Sequence, residues 1–225
     1  MIISNFTTWR SLVDGQEAFP IPDALAYGGL DNNTYVHDLS DGSLVQTLTE
    51  SGQSVLGVGL SGTHVAYGGN DENTYVHDVS DGSLVQTLTE AGDRVQDVAL
   101  SDTHVAYGVG FFGSDNNTYV HDLSDGSLVQ TLTESGQSVR GVALSDTHVA
   151  YGGLDENTYV HDLSDGSLVQ TLTESGDDVR GVALSDTRVA YGGVDENTYV
   201  HDVSDGSLVE TLTESGSTVQ DMALL

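Results

Sequence analysis

Histidine is the residue in this chain best able to do chemistry, and it recurs at fixed places. His37, His77, His121, His161 and His201 each stand in a Thr-Tyr-Val-His-Asp segment. Five imidazoles could ligate a metal, but a tetrahedral site needs its ligands within about 2 Å of one ion. Equivalent residues of separate repeats stand too far apart, so these histidines are expected to pack, beside Tyr35, Tyr75, Tyr119, Tyr159 and Tyr199 on the same strand face. His64, His104 and His148 recur at a second position, which Ala24 and Arg188 also occupy; a place that accepts His, Arg and Ala is not built for ligation. The Asp-Gly turns at Asp41, Asp81, Asp125, Asp165 and Asp205 would form one carboxylate ring, and Asp31, Asp71, Asp115, Asp155 and Asp195 another. Rings of hard oxygen could collect cations, yet Asp-Gly is also ordinary hairpin chemistry. Cysteine is absent, as are a calcium loop, a nucleophile elbow and a phosphate loop. Catalysis needs a constellation that differs from its background. Here every polar group has copies in equivalent surroundings, so neither an enzyme nor a cofactor or metal is expected.

Those copies come from a repeat. The tyrosine of an Ala-Tyr-Gly element falls at 27, 67, 107, 151 and 191, spacings of 40, 40, 44 and 40. The units run 22–61, 62–101, 102–145, 146–185 and 186–225, and residues 1–21 stand outside them. Each unit divides into four short strands. In the fourth these are His148–Gly152, Thr158–Asp162, Ser167–Thr173 and Val179–Leu184. Leu168 and Leu172 are expected to share a face, as are Val182 and Leu184. Asn157 is expected to take the left-handed backbone of one turn, and Gly166 that of the next.

Four strands in forty residues is the period of a propeller blade. Val179-Arg-Gly-Val-Ala-Leu-Ser-Asp, Val189-Ala-Tyr-Gly-Gly and Thr198-Tyr-Val-His-Asp resemble the first, second and third strands of the WD-repeat family. The resemblance covers 22–225. It departs at the family's Trp, which is His in every unit, and at the family's Gly-His, which is absent, so the hydrogen-bond network built on them is not implied. The resemblance implies an all-β fold, a five-bladed β-propeller of four-stranded antiparallel blades. The first unit lacks its own first strand, whereas the chain ends on an unpartnered one. The C-terminal strand is therefore expected to join the N-terminal blade and close the ring, with Val219, Met222 and Leu224 as its closing contacts. A monomer is the expected state, and exchange of that strand between chains the alternative. Thr8–Val13 faintly resembles a first strand and is expected to cap one face, the alternatives being that it competes for the closing position or is loose.

Charge sets the milieu. Against 35 acidic residues stand 5 basic ones, a net charge of −30, and there is no lysine. Such a surface repels itself in dilute buffer and is screened at molar salt, where the Debye length is about 3 Å. Lysine-free, Asp-rich chains resemble proteins of extreme halophiles, so a high-salt cytoplasm is the expected location. The same charge excludes general nucleic-acid binding. No apolar run approaches the ~20 residues of a membrane helix, and no signal-peptide core is visible at the N-terminus.

One segment breaks the repeat: Gly108-Val-Gly-Phe-Phe-Gly-Ser-Asp115 inserts four residues between second and third strands. Phe111 and Phe112, with Asp115, are the candidate partner-binding residues; the alternative is that the rings fold back on the blade or plug the channel. The expected function is a non-catalytic scaffold for a protein partner. Two others remain: a multivalent small-ligand or carbohydrate (lectin-like) binder with one weak site between each pair of blades, and a structural repeat without a ligand.

Overall fold

The computed structural model describes residues 24–111 and 115–224. Runs rich in Val, Thr and Tyr, bounded by Gly, Asp, Asn and Ser, favour short pleated strands. Among the described residues there is no helix. Sheet 1 has three strands, β1 (Ala24–Gly28), β2 (Thr34–Asp38) and β3 (Leu44–Leu48). Sheet 2 has four, β4 (Val55–Leu60), β5 (His64–Gly69), β6 (Thr74–Asp78) and β7 (Leu84–Leu88). Sheet 3 holds β8 (Val95–Leu100), β9 (His104–Val109), β10 (Thr118–Asp122) and β11 (Leu128–Leu132). Sheet 4 holds β12 (Val139–Leu144), β13 (His148–Gly153), β14 (Thr158–Asp162) and β15 (Leu168–Leu172). Sheet 5 holds β16 (Val179–Leu184), β17 (Arg188–Gly193), β18 (Thr198–Asp202) and β19 (Leu208–Leu212). Every sheet is an antiparallel meander, as the propeller-like repeat requires. The segment Thr8–Val13 lies outside the described residues, so its capping role does too.

Two local expectations are corrected. Leu172 is buried at 4 % exposure, but Leu168 is 46 % exposed. A bulge between Val160 and His161 shifts the register against β15, pairing His161 with Leu168 but Val160 with Gln170, and so breaks the alternation. In the hairpin before β14 the left-handed residue is Glu156, at φ 69°, and not Asn157. Asn157 is held by its side chain, whose Nδ2 donates to the Asp155 carbonyl at 3.0 Å. Gly166 does take φ 73°.

Neighbouring sheets bury their faces on one another. Between sheets 1 and 2, Ala26, Val36 and Leu48 meet Val55, Val58, Val65 and Tyr67. The same positions fill the junctions between sheets 2 and 3, 3 and 4, and 4 and 5. A buried leucine or valine contributes about 1.5–3 kcal/mol of apolar transfer, so each junction is a small core. Polar links repeat as well: Gln46, Gln86 and Gln130 donate Nε2 hydrogens to the carbonyls of Val79, Leu123 and Leu163 in the next sheet, at 2.6–2.7 Å.

The first strands of sheets 2 to 5 stand side by side: β4 lies against β8, β8 against β12, and β12 against β16. Glycine permits this approach. A Cβ on Gly57 would lie 2.5 Å from the Asp97 Cα, and one on Gly181 would lie 2.9 Å from the Asp221 Cα. The C-terminal segment therefore runs beside β16 as a fifth inner segment, and Val219 N donates to the Gly193 carbonyl at 2.9 Å. Val58–Leu60, 97–100, 142–144, 182–184, Asp221, Met222 and Leu224 line a common axial cavity of about 70 Å³. Among the described residues, 213–224 form no strand and β1 pairs with β2 alone.

Candidate functional site

Four of the five histidines, His77, His121, His161 and His201, are tied by a repeated network. In sheet 2 the Tyr67 hydroxyl donates to Glu50 at 2.6 Å and lies 3.1 Å from His77 Nε2. His77 Nδ1 is 3.0 Å from the Gly82 carbonyl, which can only accept, so Nδ1 carries a proton. Glu50 comes from the end of sheet 1, so the network links neighbouring sheets. Tyr107, Tyr151 and Tyr191 repeat it with Glu90, Glu134 and Glu174. Burial, then the bond to Glu50, pushes the Tyr67 phenol far above its ordinary range. Burial also works to raise Glu50, but the Tyr67 bond, a backbone N–H and His77 outweigh it and hold the carboxylate below its usual value. Tyr67 and His77 have no exposed surface. A group that cannot meet a substrate holds structure.

The acidic turns are equally committed. Asp165 Oδ1 accepts from Ser167 N at 2.9 Å, and Asp155 accepts from the Tyr159 hydroxyl at 2.7 Å. Among the described residues, no group of three or more His, Asp or Glu could hold a metal ion.

Thr34–Glu50 recurs unchanged at 118–134 and 158–174, and elsewhere only Val79, Val203 and Glu210 differ. The stretch leading into each inner segment behaves otherwise. Equivalent positions read Gln53, Asp93, Gln137, Asp177, Ser217; then Ser54, Arg94, Ser138, Asp178, Thr218; then Leu56, Gln96, Arg140, Arg180, Gln220. These residues share one end of the molecule with the hairpins between second and third strands, because Asn70 N, Gly110 N, Leu154 N and Val194 N donate to the carbonyls of Ser54, Arg94, Ser138 and Asp178. The inner strands begin at this end, which forms a mouth of the axis, and the cavity lining starts deeper, at Val58, Asp97, Val142 and Val182.

Phe111 stands at that mouth. It is 39 % exposed, with the Arg94 guanidinium 4.3 Å and the Arg140 guanidinium 5.7 Å from its ring centre. Such stacking is worth about 0.5–1 kcal/mol at exposed sites. Its N–H donates to Asp93 at 3.0 Å, and Gln96 Nε2 donates to the Gly110 carbonyl at 2.5 Å. Asp115 accepts from Gly92 N at 2.7 Å and from the Tyr119 hydroxyl at 2.9 Å, so it anchors the turn. Phe112 lies outside the described residues. Val219, Met222 and Leu224 are half-buried along the C-terminal segment.

Below the mouth stand two carboxylates that the sequence reading passed over. Asp97 and Asp221 occupy the place that is glycine at 57, 141 and 181. Asp97 accepts from Val142 N and Val98 N, both at 2.9 Å, which ties β8 to β12. Burial pushes its carboxyl up to about 7 and the Asp221 charge adds to the rise, against the bonds from Val142 and Val98. Burial raises Asp221 too. Aligning the units and asking where they disagree finds Asp97, Asp221 and the mouth arginines; searching for known catalytic spacings does not. The chain matches no protein-family model and no curated protein.

Proposed function

We propose that this chain is a non-catalytic, WD-repeat-like propeller of five blades that serves as a protein-interaction scaffold in molar salt, with the varied mouth as its contact surface. The observation that carries this is the distribution of differences: units that agree along 34–50 and its copies disagree around one end of the axis, beside the exposed Phe111. Five unlike mouth segments suit one asymmetric partner better than five equal sugar sites. The ring closes when Val219–Leu224 adds to β1 as the missing inner strand; the half-buried C-terminal segment already borders the cavity beside β16. Acidic residues spread along the whole chain, without lysine, fit the high-salt cytoplasm of an extreme halophile.

The test is affinity capture from such a host at its own salt concentration. Three baits are compared: the parent chain, Phe111→Ala/Gln96→Ala at the mouth, and Asp165→Asn at the opposite end. One partner per chain, lost only with the mouth variant, is expected. A partner retained by the mouth variant, or several small ligands per chain, would overturn the reading.

A further inference from the structure

The mouth collects cations as well as differences. Three of the chain's five arginines, Arg94, Arg140 and Arg180, stand there although the net charge is −30. Arg140 Nη1 donates to the Gln96 side-chain oxygen at 2.8 Å. Among the described residues no carboxylate lies within ion-pair reach of Arg140, and Arg180 reaches Asp178 only at 3.4 Å, longer than the about 2.7–2.9 Å of a good charge-assisted bond. Burial, then the nearby Arg180 charge, holds Arg140 below its ordinary basicity against the pull of Asp178. Donors are left over too. Arg140 Nε, Arg180 Nε and Ser138 Oγ are buried without a hydrogen-bond partner, and Ser138 is only 6 % exposed. Buried donors without acceptors cost about 1–3 kcal/mol each. Two guanidiniums and a hydroxyl, rich in hydrogens and poor in acceptors, form the complement of an oxyanion.

We propose that the mouth between Arg140 and Arg180 binds the carboxylate group of a ligand, with Ser138 as a third donor and Phe111 flanking the carbon body that carries it. This rests on the mouth being the binding end and gives that end its chemistry. A planar guanidinium fork matches a carboxylate with two parallel bonds. A monoanion is preferred to a dianion because Asp97 and Asp221 line the cavity beneath, and their repulsion grows with ligand charge. The exposed Phe111 ring offers apolar contact, so an aromatic acid should bind better than acetate.

The experiment titrates acetate, hippurate and inorganic phosphate into the full ¹⁵N-labelled chain at constant molar KCl, reading the Nε–H resonances of Arg140 and Arg180. Saturable shifts are expected with both carboxylates, hippurate binding more tightly and phosphate more weakly. Arg140→Gln/Arg180→Gln should weaken acetate roughly tenfold or more, and Arg140→Lys several-fold, since an ammonium cannot form the fork. Arg188→Gln should change nothing, because Arg188 is engaged by Asp202 at 2.6 Å. Shifts that never saturate, equal affinity in the double variant, or phosphate binding more tightly than acetate would overturn the proposal. If acetate fails while capture still depends on the mouth, only the carboxylate is lost; if acetate binds but capture ignores the mouth, the scaffold falls instead.

Discussion

The four junctions between sheets are packed alike, and the outward faces of sheets 1 and 5 differ from them. Leu48, Leu88, Leu132 and Leu172 end the outer strands of sheets 1 to 4, and each is 4 % exposed under the next sheet. Their equivalent in sheet 5, Leu212, is 40 % exposed. On the other side, Tyr67, Tyr107, Tyr151 and Tyr191 are fully buried, whereas Tyr27 and His37 of sheet 1 are half-buried. Tyr27 keeps its contact with His37 at 3.3 Å, but the carboxylate that should complete it belongs to Glu214 at the far end of the chain. The open faces of sheets 1 and 5 thus hold complementary halves of one junction. A cleft of about 510 Å³ lined by Tyr27, Gly28, Leu30, Val55 and Val58 marks the place beside β1 where an inner strand is missing. The comparison teaches that sheets 1 and 5 carry most of what a fifth contact would need, and that closure would require bringing the ends together.

Truncating leucines gives the largest expected contrast. Leu172→Ala should cost about 2–5 kcal/mol as a buried leucine. In a closed ring Leu212→Ala costs nearly as much, although its 40 % exposure in the open arrangement would predict far less. Thermal melting of the two variants at molar salt decides.

Asp97 sharpens the account of the axis that all five segments share. Its folded carboxyl is raised to about 7, so between about pH 4 and pH 7 the folded chain binds a proton that the unfolded chain does not. Stability from this group is complete below that window and is lost as pH rises through it. Asp97→Asn keeps an acceptor for Val142 N and removes the charge. It should stabilise by about 2 kcal/mol near pH 8, a figure reduced for water in the cavity, and by almost nothing near pH 4. Equal gains at both pH values would refute the assignment.

Tyr151→Phe removes the bonds to Glu134 and His161 and should cost about 1–2 kcal/mol. Tyr27→Phe should match it if Glu214 reaches Tyr27 in solution, and should cost much less if the junction stays open.

The smallest effect comes from a single substitution in the repeat. Gln46, Gln86, Gln130 and Gln170 donate across junctions, but sheet 5 carries Glu210, and a carboxylate cannot donate to a carbonyl. A fifth junction would therefore be the weakest. Glu210→Gln should restore the bond for about 1 kcal/mol, a rise of roughly 2–4 °C in Tm. No rise would argue against a contact there.

Much of the fold was legible because the repeat states each strand five times. Thr158–Asp162 and Val179–Leu184 fall where the pattern of Val, Thr and Tyr places them, and the Asp-Gly turns fall between strands. What the pattern hid was two-residue detail. The bulge that exposes Leu168 and the left-handed Glu156 depend on how neighbouring strands register, and one strand's sequence does not carry that. Phe111 was legible as an interruption. The arginines around it were not, because Arg140 and Arg180 look like ordinary surface charges until inner strands from separate units stand side by side. Glu50 and its copies were hidden for the same reason: each serves the tyrosine of the following sheet.

The claim that one module, repeated, joins its own ends can be read directly with a disulfide, since the chain has no cysteine to confuse it. Within sheets 3, 4 and 5, Ala99 faces Ala106, Ala143 faces Ala150, and Ala183 faces Ala190. By the same register Ala223 should face Ala26. Oxidised Ala26→Cys/Ala223→Cys protein should form one intrachain bond, which needs a Cα separation of about 4.4–6.8 Å, and should run as a monomer under non-reducing conditions at molar salt. Disulfide-linked dimers, or two thiols that stay free, would contradict it.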